Sequence, residues 1–254
     1  MAEHRKVSVV IITRDEERDL PRAIRSSGWA DEVVVVDSGS TDGTVAAARE
    51  LGARVLERAW TGFVDQKNFG AAQATHDWIF SLDADEACSP ELAAEIARWR
   101  GADRPERGFR IPRLAFFAGR WIRHTDWYPD HQLRLYHRAA GRWGARRVHE
   151  SVAVEGLVGA FEHPIHHYPY ADMGEYFRKL GAYADLAARD LRERGRRASA
   201  FQVASRPVAA FVKSYLLKRG FLEGGPGLLV AGMSAVSTFC RYARLYELGV
   251  RREE

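Results

Sequence analysis

The sequence predicts an α/β protein: a mostly parallel sheet flanked by helices, with a helical extension at the C-terminal end. Two observations carry this. Short, β-branched apolar runs recur through the first hundred residues, each separated from the next by a stretch with helical spacing. Beyond about residue 172 only helical spacing remains, punctuated by glycine and proline.

Taken in order, Val7-Ser8-Val9-Val10-Ile11-Ile12 is the first strand and 17–26 has helical spacing. Val33-Val34-Val35-Val36 is the second strand, followed by a helix over about 44–51. Ala53-Arg54-Val55-Leu56 is the third strand, 66–74 suits a helix, and Trp78-Ile79-Phe80-Ser81-Leu82 is the fourth strand. Continuous apolar strands joined through helices mean β-α-β units and a sheet covered on both faces. After about residue 100 the pattern changes to mixed strands and loops rich in Arg, Trp and His. Three helical runs then follow, over 172–194, 200–219 and 227–248, the last two separated by Gly220, Gly224, Gly225 and Pro226. The expected division is an α/β domain over 1–170, in two parts at 1–100 and 101–170, and a helical extension over 171–254.

Composition narrows the class. With 254 residues, 46% hydrophobic and 28% charged, the chain has ample core and is neither disordered nor collagenous. Two cysteines, Cys88 and Cys240, cannot build a disulfide framework, which favours a reducing cytosol. The best membrane-span candidate, 228–240, is too short and carries Gly232, Ser234, Ser237 and Thr238. The apolar run at Val7 meets Arg14-Asp15-Glu16-Glu17 with no cleavage site, so it reads as a strand and not a signal peptide. Charge is unevenly spread: residues 1–100 hold 12 basic against 18 acidic side chains, and 101–254 hold 26 against 16. An acidic first half suits a cation site, and a basic second half suits phosphate or lipid headgroups. No nucleic-acid-binding motif accompanies the basic charge, so nucleic acid is not an expected partner.

In parallel sheets ligands bind at the carboxyl ends of the strands. Those ends here are Thr13-Arg14-Asp15-Glu16, Asp37-Ser38-Gly39-Ser40-Thr41-Asp42-Gly43 and Asp83-Ala84-Asp85-Glu86. Asp83 and Asp85, two residues apart in a turn, can hold Mn²⁺ or Mg²⁺ through oxygen ligands, with positions left for a substrate diphosphate. Asp37 is a charge ending four valines, placed to accept hydrogen bonds from a base or ribose, and the loop after it also reads as a turn and helix cap. No G-x-G-x-x-G follows a strand, which speaks against a nicotinamide site.

Together these segments, with Gln66-Lys67-Asn68-Phe69-Gly70, resemble the nucleotide-binding half of the family-2 glycosyltransferases. The resemblance implies the GT-A (Rossmann-like) fold and an inverting, metal-dependent transferase using a nucleotide-diphosphate sugar. It assigns Asp37 to the nucleoside, Asp83 to ribose or metal, Asp85 to the metal, and Lys67 to the base or diphosphate. Thr13, Asp15 and Arg134 complete the expected nucleotide-sugar site.

Trp127-Tyr128-Pro129-Asp130, Gln132-Leu133-Arg134-Leu135-Tyr136, Gly141-Arg142-Trp143, Val148-His149-Glu150 and Gly220-Phe221-Leu222-Glu223-Gly224 resemble bacterial transferases of lipopolysaccharide core assembly, the β-1,4-glucosyltransferases nearest of all. That implies a UDP-sugar donor, a lipopolysaccharide-core or lipid-linked saccharide acceptor, and work at the cytoplasmic face of an anionic membrane. The Gln-x-x-Arg-Trp of processive members is missing its tryptophan after Gln132-Leu133-Arg134, which speaks against polymer synthesis.

Displacement at an anomeric carbon needs a base for the acceptor hydroxyl. Glu150 and Asp130 compete for that role, Glu150 being the first choice. Arg134, His149 or His167 are candidates to assist the departing diphosphate. The run His163-Pro164-Ile165-His166-His167 has spacings that fit no structural zinc motif. Phe116, Phe117, Trp121, Trp127, Tyr128 and Trp143, with Arg120, Arg123 and Arg142, are candidates for an acceptor cleft, with core packing the alternative for at least half the aromatics. Phe201, Phe211, Tyr215, Leu216 and Leu217 mixed with Arg206, Lys213, Lys218 and Arg219 suit either an interfacial helix or one packed on the catalytic domain. Two other classes are alternatives: a non-catalytic scaffold of degenerate transferase fold, and a haloacid-dehalogenase-type phosphohydrolase built on Asp83-x-Asp85.

Overall fold

The computed structural model describes residues 4–144 and 151–250. They form two compact units: 4–113 with 130–144 and 151–167, and 114–129 with 168–250.

The first unit is built on β1 (Val7–Thr13), α1 (Leu20–Ser26), β2 (Glu32–Asp37), α2 (Thr44–Glu50), β3 (Arg54–Glu57), α3 (Phe63–Gln73) and β4 (Trp78–Asp83). They are followed by β5 (Glu86–Cys88), α4 (Pro90–Arg100), β6 (Gly108–Phe117), β7 (Arg120–Ile122), β8 (Asp130–His137), β9 (Gly141–Gly144), β10 (Ser151–Val154), β11 (Val158–Ala160) and β12 (Ile165–His167). The main sheet runs β3-β2-β1-β4-β8-β6-β12-β5, with β11 also on β6, and β9 pairs with β10 in a separate ribbon. β3, β2, β1 and β4 are parallel, whereas β8 joins β4 antiparallel. The expected parallel first half and mixed second half are therefore present.

β1 is central because it is apolar on both sides. Its alternate residues Val7, Val9 and Ile11 enter one core with Leu20, Ile24, Leu92, Ile96 and Trp99, while Val10 and Ile12 enter the opposite core with Val34, Val36 and Ile79. On that second side α3 lies so close that a Cβ on Gly70 would stand 2.5 Å from Val10 Cγ1. α4 starts on a designed cap, Ser89 Oγ accepting from the Leu92 N–H with Pro90 in the first turn.

The second unit contains the end of β6, β7, α5 (Met173–Glu193), α6 (Ala200–Val212) and α7 (Gly225–Val250). Helical spacing predicts a middle helix reaching residue 219. Instead α6 gives way to a π-helical turn at Lys213–Leu217 and a 3₁₀ turn at Gly220–Glu223. Phe117, Ile122, Tyr176, Leu180, Val230 and Met233 make its core. The segment 114–129 belongs here through polar ties as well. Buried Glu223 accepts from the N–H groups of Arg123 and His124, each at 2.8 Å, and pairs with Arg120. Asp126 accepts from Ser214 and Ser234. No helix among the described residues is long and apolar enough to cross a membrane.

Candidate active site

The parallel register sets the site. Thr13 pairs with Asp37 and Ile12 with Asp83, so the ends of β1, β2 and β4 lie side by side. β12 then runs antiparallel to β5, with His167 opposite Glu86, which brings a histidine to the turn after β4.

Asp83 is the centre of a buried charge cluster. Lys67 Nζ on α3 stands 3.0 Å from its Oδ1, and Arg134 Nη2 on β8 stands 2.7 Å from its Oδ2. Burial pushes the Asp83 carboxyl up, but the Arg134 and Lys67 cations outweigh it and hold the group well below the usual carboxylate range. Burial likewise opposes the Arg134 charge, and Asp83 and Glu86 reverse that, raising its affinity for the proton. Lys67 also lies over the Trp143 ring, 4.3 Å from its centroid. Its neighbours on α3 act differently. Asn68 exchanges two hydrogen bonds with the Trp143 backbone, and Gln66 donates to Ser38 Oγ and to the Arg58 and Ala59 carbonyls.

Of the two aspartates expected at a metal, Asp83 thus turns both oxygens to cations. Asp85 does not: its Oδ2 lies 3.3 Å from His167 Nε2. His163, from the same histidine run, pairs with Glu95 instead.

Two members of the cluster were not singled out from sequence. Glu86 is fully buried and accepts from the Asp83 N–H at 3.0 Å, from Arg134 Nη2 at 2.7 Å and from Arg113 Nη1 at 3.2 Å. Arg113 on β6 in turn grips Asp130 Oδ2 with Nε at 3.0 Å and Nη2 at 2.7 Å, while Gln132 donates to Asp130 Oδ1. A chain of alternating sign, Lys67–Asp83–Arg134–Glu86–Arg113–Asp130, therefore joins the donor-side turn to one of the two base candidates. The other, Glu150, lies with Arg146, Arg147 and His149 outside the described residues.

The remaining expected site residues sit on the two neighbouring loops. Asp37 is buried and holds its own loop, its carboxylate accepting from the N–H groups of Gly39 and Ser40 and from Ser40 Oγ. Asp15, at a positive φ of 53°, joins the loops: its Oδ1 accepts from the Thr41 N–H and its own N–H donates to Ser40 Oγ. Thr13 Oγ1 and the Nε and Nη1 of Arg134 are buried polar atoms with no hydrogen-bond partner among the described residues. Among the aromatics expected in a cleft, Trp143 and Phe117 are core residues, and Phe116, Trp121 and Tyr168 stack edge-on in the second unit.

Acidic turns and buried cations thus meet at the carboxyl edge of β1, β2 and β4. Residues 8–146 match the glycosyl transferase family 2, and the chain belongs to that family. It is 30% identical to the "Lipopolysaccharide core biosynthesis glycosyltransferase LpsC" of Rhizobium meliloti (strain 1021), over 95% of this chain and 92% of that one. It is also 30% identical to an "Uncharacterized glycosyltransferase" of Rickettsia typhi (strain ATCC VR-144 / Wilmington), over 97% and 89%. Among solved structures, the mannosyltransferase PcManGT from Pyrobaculum calidifontis in complex with GDP-Man and Mn²⁺ superposes with TM-score 0.56 at 16% identity, over 95% of this chain and 87% of that one. Glucosyl-3-phosphoglycerate synthase from Mycobacterium tuberculosis, in complex with Mn²⁺, UDP and glucosyl-3-phosphoglycerate, gives TM-score 0.50 at 18% identity, over 77% and 82%. The fold is GT-A and the protein is a transferase enzyme, so the scaffold and phosphohydrolase classes are set aside.

Proposed function

We propose that this protein is an inverting, divalent-metal-dependent hexosyltransferase that moves glucose from UDP-glucose to an inner-core heptose of lipopolysaccharide. The observation that carries the reading is the Asp85–His167 pair beside the Lys67–Asp83–Arg134 cluster, at the carboxyl edge of a parallel sheet. The name of the Rhizobium relative supports the acceptor class, and the two solved transferases, each holding Mn²⁺ with a nucleotide or nucleotide sugar, support the donor class.

Asp85 and His167 fit a hard divalent ion. Their donor atoms are 3.3 Å apart, close to the roughly 3.0 Å between adjacent ligands of an octahedral ion with bonds of about 2.1 Å. Among the described residues no group of three or more His, Cys, Asp or Glu gathers at one point. A site with two protein ligands leaves its other positions to water and diphosphate, as Mn²⁺ or Mg²⁺ prefers. When bound, the ion neutralises charge on the leaving nucleoside diphosphate.

The protein's own groups do the rest. Lys67 and Arg134 keep two buried positive charges beside the diphosphate, and the unused Arg134 N–H groups donate to phosphate oxygens. Asp37 and Asp15 hold the loops that receive the nucleoside, with the Thr13 hydroxyl available to it. Glu150, or Asp130 oriented by Arg113 and Gln132, takes the proton of the acceptor hydroxyl as the new glycosidic bond forms.

The test is calorimetric titration with UDP, GDP and their glucose, galactose and mannose conjugates, with and without Mn²⁺, followed by transfer to truncated lipopolysaccharide cores. Metal-dependent binding of UDP-glucose and transfer to a heptose-terminated core are the expected results. Binding of none of these by folded protein refutes the donor assignment. Turnover retained in Asp130→Asn but lost in Glu150→Gln assigns the base to Glu150.

A further inference from the structure

The turn between α6 and α7 carries a surface that the transfer chemistry does not use. Leu216, Leu217, Phe221, Leu222, Leu228 and Leu229 are all exposed there, Leu217 to 75%. Apolar exposure of this density on one tip marks an interaction surface.

The tip is firmly built. Gly220 and Gly227 pack against each other so closely that a Cβ on Gly227 would lie 1.9 Å from the Gly220 carbonyl oxygen, and a Cβ on Gly220 would meet Ser214 O at 2.8 Å. Arg219 takes a left-handed conformation, φ 58°, to make the turn. Glu223 is anchored on the Arg123 and His124 N–H groups. The leucines are therefore presented by a fixed scaffold, with no local route to burial.

Charge selects the partner. Lys213, Lys218 and Arg219 are exposed at the same turn, and none of them pairs with a carboxylate among the described residues. From residue 194 to 246 the chain has nine Lys or Arg and one acid, Glu223, which is buried and paired with Arg120. Apolar side chains framed by unpaired cations match an anionic lipid bilayer, whose acyl region takes the leucines and whose headgroups take the cations.

We infer that the α6–α7 tip docks the protein on an anionic phospholipid membrane, Leu217 and Leu222 entering the acyl boundary and Lys213 and Lys218 meeting headgroup phosphates. This deepens the proposed action on a lipid-borne acceptor, yet it stands on different residues, and vesicle binding is read without any sugar transfer.

The experiment is co-sedimentation of the full chain with vesicles of phosphatidylcholine alone and of phosphatidylcholine with phosphatidylglycerol. Binding to the anionic vesicles only, weakened by salt, is expected. Leu217→Glu/Leu222→Glu lowers the partition at least about tenfold. Lys213→Glu/Lys218→Glu lowers it by more than about 25-fold, since each cation near an anionic surface contributes about fivefold. Unchanged circular dichroism and unchanged donor binding in both variants separate docking from folding and from the transfer site. Absence of binding to anionic vesicles, or equal binding by both variants, overturns the inference. So does a concentration-dependent dimer, seen by sedimentation velocity, that Leu217→Glu dissolves: a second copy would then cover the tip.

Discussion

Replacing Glu86 by glutamine tests the buried charge chain most directly. Lys67, Arg134 and Arg113 face Asp83, Glu86 and Asp130, three charges of each sign. The substitution keeps the shape but removes one negative charge from a fully buried position and offers a single acceptor oxygen to donors that now use two. Breaking a buried pair by removing one partner costs about 3–5 kcal/mol, and the retained carbonyl puts this case near about 3 kcal/mol. For a chain of this size, about 2–4 °C per kcal/mol gives a fall in Tm of about 6–12 °C. Differential scanning calorimetry without ligand, together with the urea midpoint, measures it. The double variant Glu86→Gln/Arg134→Gln removes both sides of one link and should be less damaging than the sum of its parts by about 1–3 kcal/mol. A Tm drop under about 2 °C, less than one kcal/mol would produce, refutes the view that Glu86 holds the cluster together.

Other outcomes follow from the same structure. Asp85→Asn and His167→Ala should each abolish Mn²⁺-dependent donor binding in calorimetry while leaving Tm nearly unchanged; metal-dependent binding retained in both removes the pair from the metal site. Gly70→Ala forces a Cβ to 2.5 Å from Val10 Cγ1 and 3.0 Å from Val36 Cγ2, an overpacking worth about 1–3 kcal/mol in the urea midpoint. Burial raises the Glu223 carboxyl, but hydrogen bonds from His124 and from the Arg123 and His124 N–H groups bring it below its ordinary 4.5. The unfolded chain then holds the proton more tightly, so this stabilisation is present above about pH 4.5 and fades as pH falls through the lower folded value. The stability difference between the natural protein and Glu223→Gln should therefore be full at neutral pH and shrink in acid; a difference independent of pH contradicts it.

The part of the fold that local pattern governs was readable. Three of the four apolar runs end in acidic turns, and a parallel sheet puts such turns on one edge, so Asp83 and Asp37 could be placed together before any geometry. What pattern cannot carry is register between distant antiparallel strands. Arg113 reaches Asp130 only because β6 pairs with β8, and His167 reaches Asp85 only because β12 pairs with β5. No neighbouring residue announces either pairing. Glu86 illustrates the same limit: in sequence it is the fourth residue of an acidic turn, and its value as a clamp comes from two arginines far along the chain. Residues 213–219 keep helical spacing, so pattern alone extends the middle C-terminal helix, whereas the chain forms π and 3₁₀ turns there beside the close approach of Gly220 and Gly227.

The discontinuous make-up of the second unit bears on how the protein is made. The segment 114–129 leaves the ribosome well before its partners in 168–250, and Glu223 must appear before the N–H groups of Arg123 and His124 are satisfied. At translation rates of about 5–20 residues per second, that interval lasts roughly 5–20 s. During it the Phe117 and Ile122 side chains have no core to enter, and the nascent chain carries an apolar loop awaiting its helices. Chaperone binding at this loop in ribosome-stalled chains, released once α7 has emerged, is the signature such an order of assembly would leave.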